Sequence, residues 1–297
     1  MLFERQRLLL TLLDAIGEPV GHTDFQKLLF LYTRECETAP TYEFVPYKFG
    51  GFSFTSYADK RKLIAEGLLE DDDQNWKLTE PGRTAARRQA VEPLRVAGFC
   101  RRHSKLRGNA LITEQYRRHP YYATRSEILE KLRLEPEALA RIAAARPKRQ
   151  PAGLVTIGYE GRSLENYLNE LLRAGVTVLC DVRRNPLSRK YGFSKGTLTK
   201  ACEGVGIRYE HLPELGIASD ERRNLETQAD YDALFAHYER HDLPKQGAPL
   251  SKIRGWIEQG ERVALACYEA QSCQCHRHCV AEALEQMSGA NLRAHHL

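Results

Sequence analysis

The stretch VALACYEAQSCQCHRHCVAEAL, Val263 to Leu284, runs an apolar segment, a loop rich in cysteine and histidine, and a second apolar segment together without a break. Val263 to Ala266 reads as a buried strand and Val280 to Leu284 as the start of a helix, which puts Cys275, His276 and Arg277 in a strand-to-helix loop. In an open α/β sheet such loops line the crevice where ligands bind, and the helix that follows offers free backbone N–H groups and a positive dipole end. At that position a thiol is expected to be biased toward thiolate and Arg277 to hold an anion.

Upstream, the same alternation continues. Leu154–Ile157, Val176–Val182 and Arg208–His211 read as strands, and Leu164–Ala174 (capped by Ser163), Thr197–Gly204, Tyr231–Glu239 and Ile253–Gln259 as helices. Strands separated by helices predict an α/β domain over residues 154–297, with a mostly parallel sheet covered by helices on both faces. Parallel strands bring their carboxyl ends to one edge. That edge would gather Gly158-Tyr159-Glu160-Gly161-Arg162, Asp181-Val182-Arg183-Arg184-Asn185-Pro186 and Cys267-Tyr268-Glu269.

The 297 residues suffice for two domains, and the run AAARPKRQPAG, Ala143–Gly153, reads as a connection between them, with the linker itself at 147–153. Residues 1–80 predict helices Phe3–Ile16, Thr23–Glu37 (capped by Thr23 or Asp24) and Tyr57–Glu66, then strand-like pieces Leu68–Glu70 and Trp76–Thr79 around an acidic turn. That order predicts a mostly helical, winged-helix-like module. Residues 81–146 read as a basic helical extension. Of the net charge of +5, residues 1–80 contribute −5, residues 81–150 +11 and residues 151–297 −1.

The basic excess is mostly arginine and predicts a nucleic-acid footprint at Arg101, Arg102, Lys105, Arg107, Arg117 and Arg118, DNA ahead of RNA. A solvated face, or docking onto the acidic first segment, is the alternative. Tyr116, Tyr121 and Tyr122 lie among these arginines, where they serve either to stack on bases or as core contacts. No apolar stretch approaches the ~18 residues of a membrane span, so no membrane partner is expected. With no export signal read at the N-terminus, the chain is expected in the cytoplasm, with its eight cysteines as thiols.

The blocks TIGYEGRSLENYLNEL, TVLCDVRRNPLSRKYGFSKGTL, GIRYEHLPELG and ACYEAQSCQCHRHCVAEAL resemble the family catalogued as domain of unknown function 488. The resemblance implies a compact α/β domain with an Asp-Val-Arg strand end, a Pro-x-Ser loop and a Cys-His-Arg loop, and it implies no activity. Lys27-Leu28-Leu29-Phe30-Leu31, Tyr47-Lys48-Phe49-Gly50-Gly51 and Gly67-Leu68-Leu69 are similar to the winged-helix-like domain of SocA and Panacea antitoxins.

These readings converge on a nucleic-acid-associated protein that processes or modifies nucleic acid or a nucleotide, as a hydrolase or transferase. Asp181, Cys275 and Glu269 are the candidate catalytic groups, and Tyr159, Arg183, Arg184, Ser188, Arg189, His276 and Arg277 the candidate substrate contacts. One alternative is a DNA-binding regulator or defence sensor with a nucleotide pocket. Another is a rhodanese-like sulfurtransferase or phosphatase using Cys275, although one residue between Cys275 and Arg277 is short for a phosphate-cradling loop. No cofactor is expected. The competing metal reading places zinc at Cys273, Cys275, His278 and Cys279. Cys180 and Cys267 read as small apolar residues buried in strands.

Overall fold

The computed structural model describes residues 1–17, 19–218, 220–222, 225–289 and 292–297. The chain divides into two compact units, Met1–Arg146 and Pro147–Leu297.

The first unit contains α1 (Glu4–Ile16), β1 (Val20–Gly21), α2 (His22–Cys36), β2 (Val45–Tyr47), β3 (Gly50–Phe52), α3 (Phe54–Ala65), β4 (Leu69–Asp71) and β5 (Asn75–Leu78). The helices α4 (Glu80–Arg88), α5 (Pro93–His103), α6 (Gly108–Arg118) and α7 (Pro136–Ala144) follow. The expected pair of strands forms around the acidic turn, and β1 joins it to make a three-stranded antiparallel sheet, β1-β5-β4. Neither β1 nor the β2–β3 hairpin stands out in the sequence, since strands of two or three residues carry too short an alternation to read.

The leucines of α1 are buried together with Phe25, Leu28, Phe30 and Tyr32 of α2, Trp76 of β5 and Val96 and Phe99 of α5. Gly21 stands at the cap of α2 without a side-chain bond, and Asp24 instead accepts the Gly108 backbone N–H at 2.7 Å.

The second unit contains β6 (Gly153–Gly158), α8 (Leu164–Arg173), β7 (Val178–Asp181), α9 (Lys195–Gly204), β8 (Arg208–His211), α10 (Gln228–His237), α11 (Gly247–Glu258), β9 (Arg262–Cys267), α12 (Arg277–Ser288) and β10 (Ala294–His296). The order β10-β6-β9-β7-β8 is parallel throughout, as expected. Ser163 caps α8, its hydroxyl accepting the Asn166 N–H. Val178, Cys180, Val263 and Leu265 meet Ile253 and Trp256 of α11 and Val280 and Leu284 of α12 in one core. Cys180 is thus the small buried filler expected of it.

The register aligns Gly158 with Cys267, and Asp181 with both Ala266 and His211. Three strand ends therefore finish level, and the loop after β9 rises between the loops after β6 and β7. The close packing of these loops has a backbone cause. A Cβ at Gly158 would come within 1.8 Å of the Glu269 carbonyl oxygen, so only glycine admits the β9 loop there.

Candidate active site

A cleft of about 520 Å³ opens at this edge. It is lined by Tyr159 from the β6 loop, by Arg183, Arg184, Asn185, Leu187, Ser188 and Arg189 from the β7 loop, and by Ile217 and Arg222. Cys267, Tyr268, Glu269 and His276 of the β9 loop complete it. The expected convergence of three loops is realised at the crevice, where the helix after β9 and the helices after β6 and β7 diverge.

Asp181 anchors the site from below. It is fully buried, and its carboxylate accepts the Arg183 backbone N–H (3.1 Å), Arg183 Nε (2.8 Å) and Nη2 (2.6 Å) and the Tyr209 hydroxyl (2.7 Å). Burial disfavours the Arg183 cation, but the Asp181 carboxylate outweighs it and holds the guanidinium more firmly protonated than usual. Arg183 Nη1 donates to the Tyr159 hydroxyl at 2.9 Å, and the guanidinium lies over that ring. With its oxygens committed to four donors, the Asp181 carboxylate holds and orients Arg183.

The β7 loop is folded on itself. Ser194 Oγ accepts the Ser188 N–H and donates to the Ser188 carbonyl, Ser188 Oγ accepts the Lys190 N–H, and Lys190 Nζ reaches the Tyr159 carbonyl at 3.1 Å. Phe193 stacks on Tyr159 with ring centroids 4.3 Å apart. Arg184 and Arg189 stay exposed at the cleft with no acidic partner among the described residues.

The β9 loop brings Cys267, Glu269 and His276 into contact. Cys267 Sγ donates to Glu269 Oε2 at 3.3 Å and lies 3.7 Å from His276 Nδ1. His276 Nε2 lies 3.0 Å from the Val182 carbonyl, which can only accept, so Nε2 carries the proton and Nδ1 presents a lone pair. Burial opposes ionisation of Glu269, but the Arg222 guanidinium paired with it and the Cys275 thiol keep its carboxyl below the usual range. Glu269 is a carboxylate facing the cleft. Cys267 is fully buried at the strand end, as read, and also lines the cleft, while Arg222 is the residue missed, since nothing local marks it.

Two expectations for the Cys-His-Arg loop are revised. Cys275 is fully buried, does not line the cleft, and its thiol is pushed well above the ordinary value, first by burial and then by Cys267. That direction runs against the thiolate bias expected at the start of α12. Arg277, 1% exposed, donates from Nη1 to the Glu269 carbonyl (2.5 Å), from Nη2 to the Ala270 carbonyl (2.9 Å) and from Nε to Thr156 Oγ1 (3.4 Å). It clamps the loop instead of offering itself to an anion.

The four residues of the competing zinc reading are not gathered in one place among the described residues. Among the described residues, Cys275 converges with Cys267 and His276, while His278 and Cys279 converge with Glu239, and exposed Cys273 belongs to neither group.

In the first unit, Arg102 and Arg118 pair with Glu35, Arg117 pairs with Glu135, and Arg107 donates to the carbonyls of His103, Ser104 and Leu106. The alternative of docking onto acidic neighbours thus accounts for part of the stripe, while Arg101 and Lys105 remain exposed without an acidic partner among the described residues. Tyr116 is buried, its hydroxyl donating to Ser126 Oγ at 2.8 Å, and Tyr122 is a core contact that accepts a hydrogen bond from Arg34.

No helix among the described residues is long and apolar enough to cross a membrane. Neither a curated protein nor a solved structure matches the chain. A family model does match, and its span takes in Asp181, Arg183, Ser188, Cys267, Glu269, Cys275 and His276. Over residues 163–284, the second unit is similar to the family described as Domain of unknown function DUF488.

Proposed function

We propose that the protein acts on a phosphate-bearing ligand, a nucleotide or a nucleic-acid chain, held in the cleft of the second unit. The observation that carries this reading is the charge balance of the cleft. Four arginines, Arg183, Arg184, Arg189 and Arg222, line it, and among the described residues only Arg183 and Arg222 have carboxylate partners. Arg184 and Arg189 are left to meet an anion, and guanidinium forks suit phosphate oxygens. Tyr268, 44% exposed, and Leu187, 73% exposed, add apolar surface beside them, as a base beside its phosphate requires. Glu269 and the Cys267–His276 pair supply groups able to accept or move a proton.

The first unit supports the nucleic-acid side of the reading. Its order of helix, strand, helix, helix and two strands, with the early strand closing the small sheet, is compatible with the winged-helix reading, the β2–β3 hairpin being an insertion in it. Among the described residues, Arg101 and Lys105 are its exposed basic groups without an acidic partner on α5 and the turn after it.

The test is binding of the full chain to labelled duplex DNA, single-stranded DNA, RNA and free nucleotides over a series of salt concentrations. Pairing Arg184→Ala with Arg189→Ala is expected to weaken nucleotide binding at least ~10-fold, and Tyr268→Ala to cost about 1–3 kcal/mol of it. Pairing Arg101→Ala with Lys105→Ala is expected to reduce the salt slope for DNA by about 0.9 for each lost phosphate contact. Nucleotide binding indifferent to Arg184 and Arg189 would remove the cleft from the reading. Absence of nucleic-acid binding at low salt would remove the first unit from it.

A further inference from the structure

We propose that Cys267, Cys275 and His276 form a zinc site whose open fourth position faces the cleft. This goes beyond the anion-binding reading and rests on it only for what approaches the metal.

The three ligand atoms lie within 4.8 Å of one another. Tetrahedral zinc with Zn–S of about 2.3 Å and Zn–N of about 2.05 Å separates sulfur from nitrogen by about 3.6 Å. The observed separation of Cys267 Sγ from His276 Nδ1 is 3.7 Å. The imidazole is already set for the task. Its Nε2–H donates to the Val182 carbonyl, and a backbone carbonyl on the far nitrogen of a ligating histidine fixes both its tautomer and its orientation.

The ligands also come from supports that hold still. Cys267 ends the central strand β9, and Arg277 pins the intervening loop through the Glu269 and Ala270 carbonyls. Loss of two thiol protons on binding keeps the buried charge balanced: two thiolates and the Glu269 carboxylate stand against a divalent cation and the Arg222 guanidinium, paired with Glu269.

Zinc is favoured over magnesium and calcium because two thiolates and an imidazole are soft and borderline ligands, which those hard ions do not select. Three protein ligands are the pattern of a zinc that keeps one position for water or substrate. Cys267 and His276 line the cleft, so that position opens toward Arg184 and Arg189. The second convergent group, Glu239 with His278 and Cys279, has its carboxylate exposed and serves as the internal control.

The full chain, purified under reducing conditions, is stripped with a chelator, and zinc and cobalt(II) are added back. One tightly held zinc per chain is expected, and cobalt(II) is expected to give the thiolate-to-metal charge-transfer absorption and the intense visible bands of a tetrahedral Cys₂His site. Cys267→Ser and His276→Gln are each expected to weaken zinc by more than the roughly 10- to 100-fold that loss of an outer partner costs, whereas Cys273→Ser and Cys279→Ser leave it unchanged.

The proposal is overturned if the native chain takes up no stoichiometric zinc, if the cobalt spectrum lacks thiolate bands, or if Cys279→Ser abolishes uptake. The native-chain measurements decide the matter even where a cysteine variant fails to fold. Nucleotide binding by the stripped protein, dependent on Arg184 and Arg189, would keep the cleft reading intact after failure of the metal site.

Discussion

Cys267 and Cys275 are both fully buried, and they differ in which of them reaches the cleft. Cys275 sits in the loop at the mouth of α12, where a thiol is expected to be exposed and reactive, yet it is buried. Cys267 ends a strand of small apolar residues, yet it lies at the cleft beside His276 and Glu269. The difference comes from the path of residues 268–276, which Arg277 pulls back over the strand end and which Gly158 allows to approach. Gly158→Ala tests that account, since the added methyl meets backbone and not a flexible side chain. It is expected to destabilise the protein by about 1–3 kcal/mol in chemical denaturation and to weaken ligand binding at the cleft. Unchanged stability would mean that the loop does not need the contact.

At the scale of elements, α2 carries a conflict within its own core face. Lys27 is buried, donates to the Gly51 carbonyl at 2.9 Å, and is pushed down to about 7 by burial, with Asp24 opposing. The unfolded chain keeps this amine protonated to about pH 10.5, so between about pH 7 and 10.5 unfolding takes up a proton and stability rises with pH; the penalty is largest below pH 7.

Lys27→Met is therefore expected to be more stable than the native chain by about 2 kcal/mol near pH 7, after the loss of one hydrogen bond, with the gap closing as pH approaches 10. Denaturation curves of both proteins at pH 7, 8.5 and 10 measure it, and a gap independent of pH would contradict it. The helix itself was readable from its 3.6-residue period. The burial of a lysine on it was not, because the β2–β3 hairpin that supplies the carbonyl is too short to announce itself.

At the scale of the whole molecule, the two compact units divide between Arg146 and Pro147, and residues 146–152 are exposed. Limited trypsin digestion is expected to cut first after Lys148 or Arg149, the Arg146–Pro147 bond being resistant, and to leave two protected fragments identifiable by mass. First cuts inside either unit would show that the exposed segment is not the weakest point. The charge asymmetry read along the chain has a partly internal explanation here, since Glu35 alone takes Arg102 and Arg118, and Asp14 takes Arg87.

By itself, the sequence determined the parallel α/β unit, its capped helices and the three loops that share an edge. Periodicity, caps and strand–helix alternation are local properties, and alternation forces the strand ends to one side. Only the tertiary structure decided what each group at that edge does. Asp181 became a support, Arg277 a clamp, and Cys267 and Arg222 members of the cleft. Burial and partners depend on how residues up to 121 positions apart meet, as Arg277 meets Thr156, and no local pattern encodes that distance.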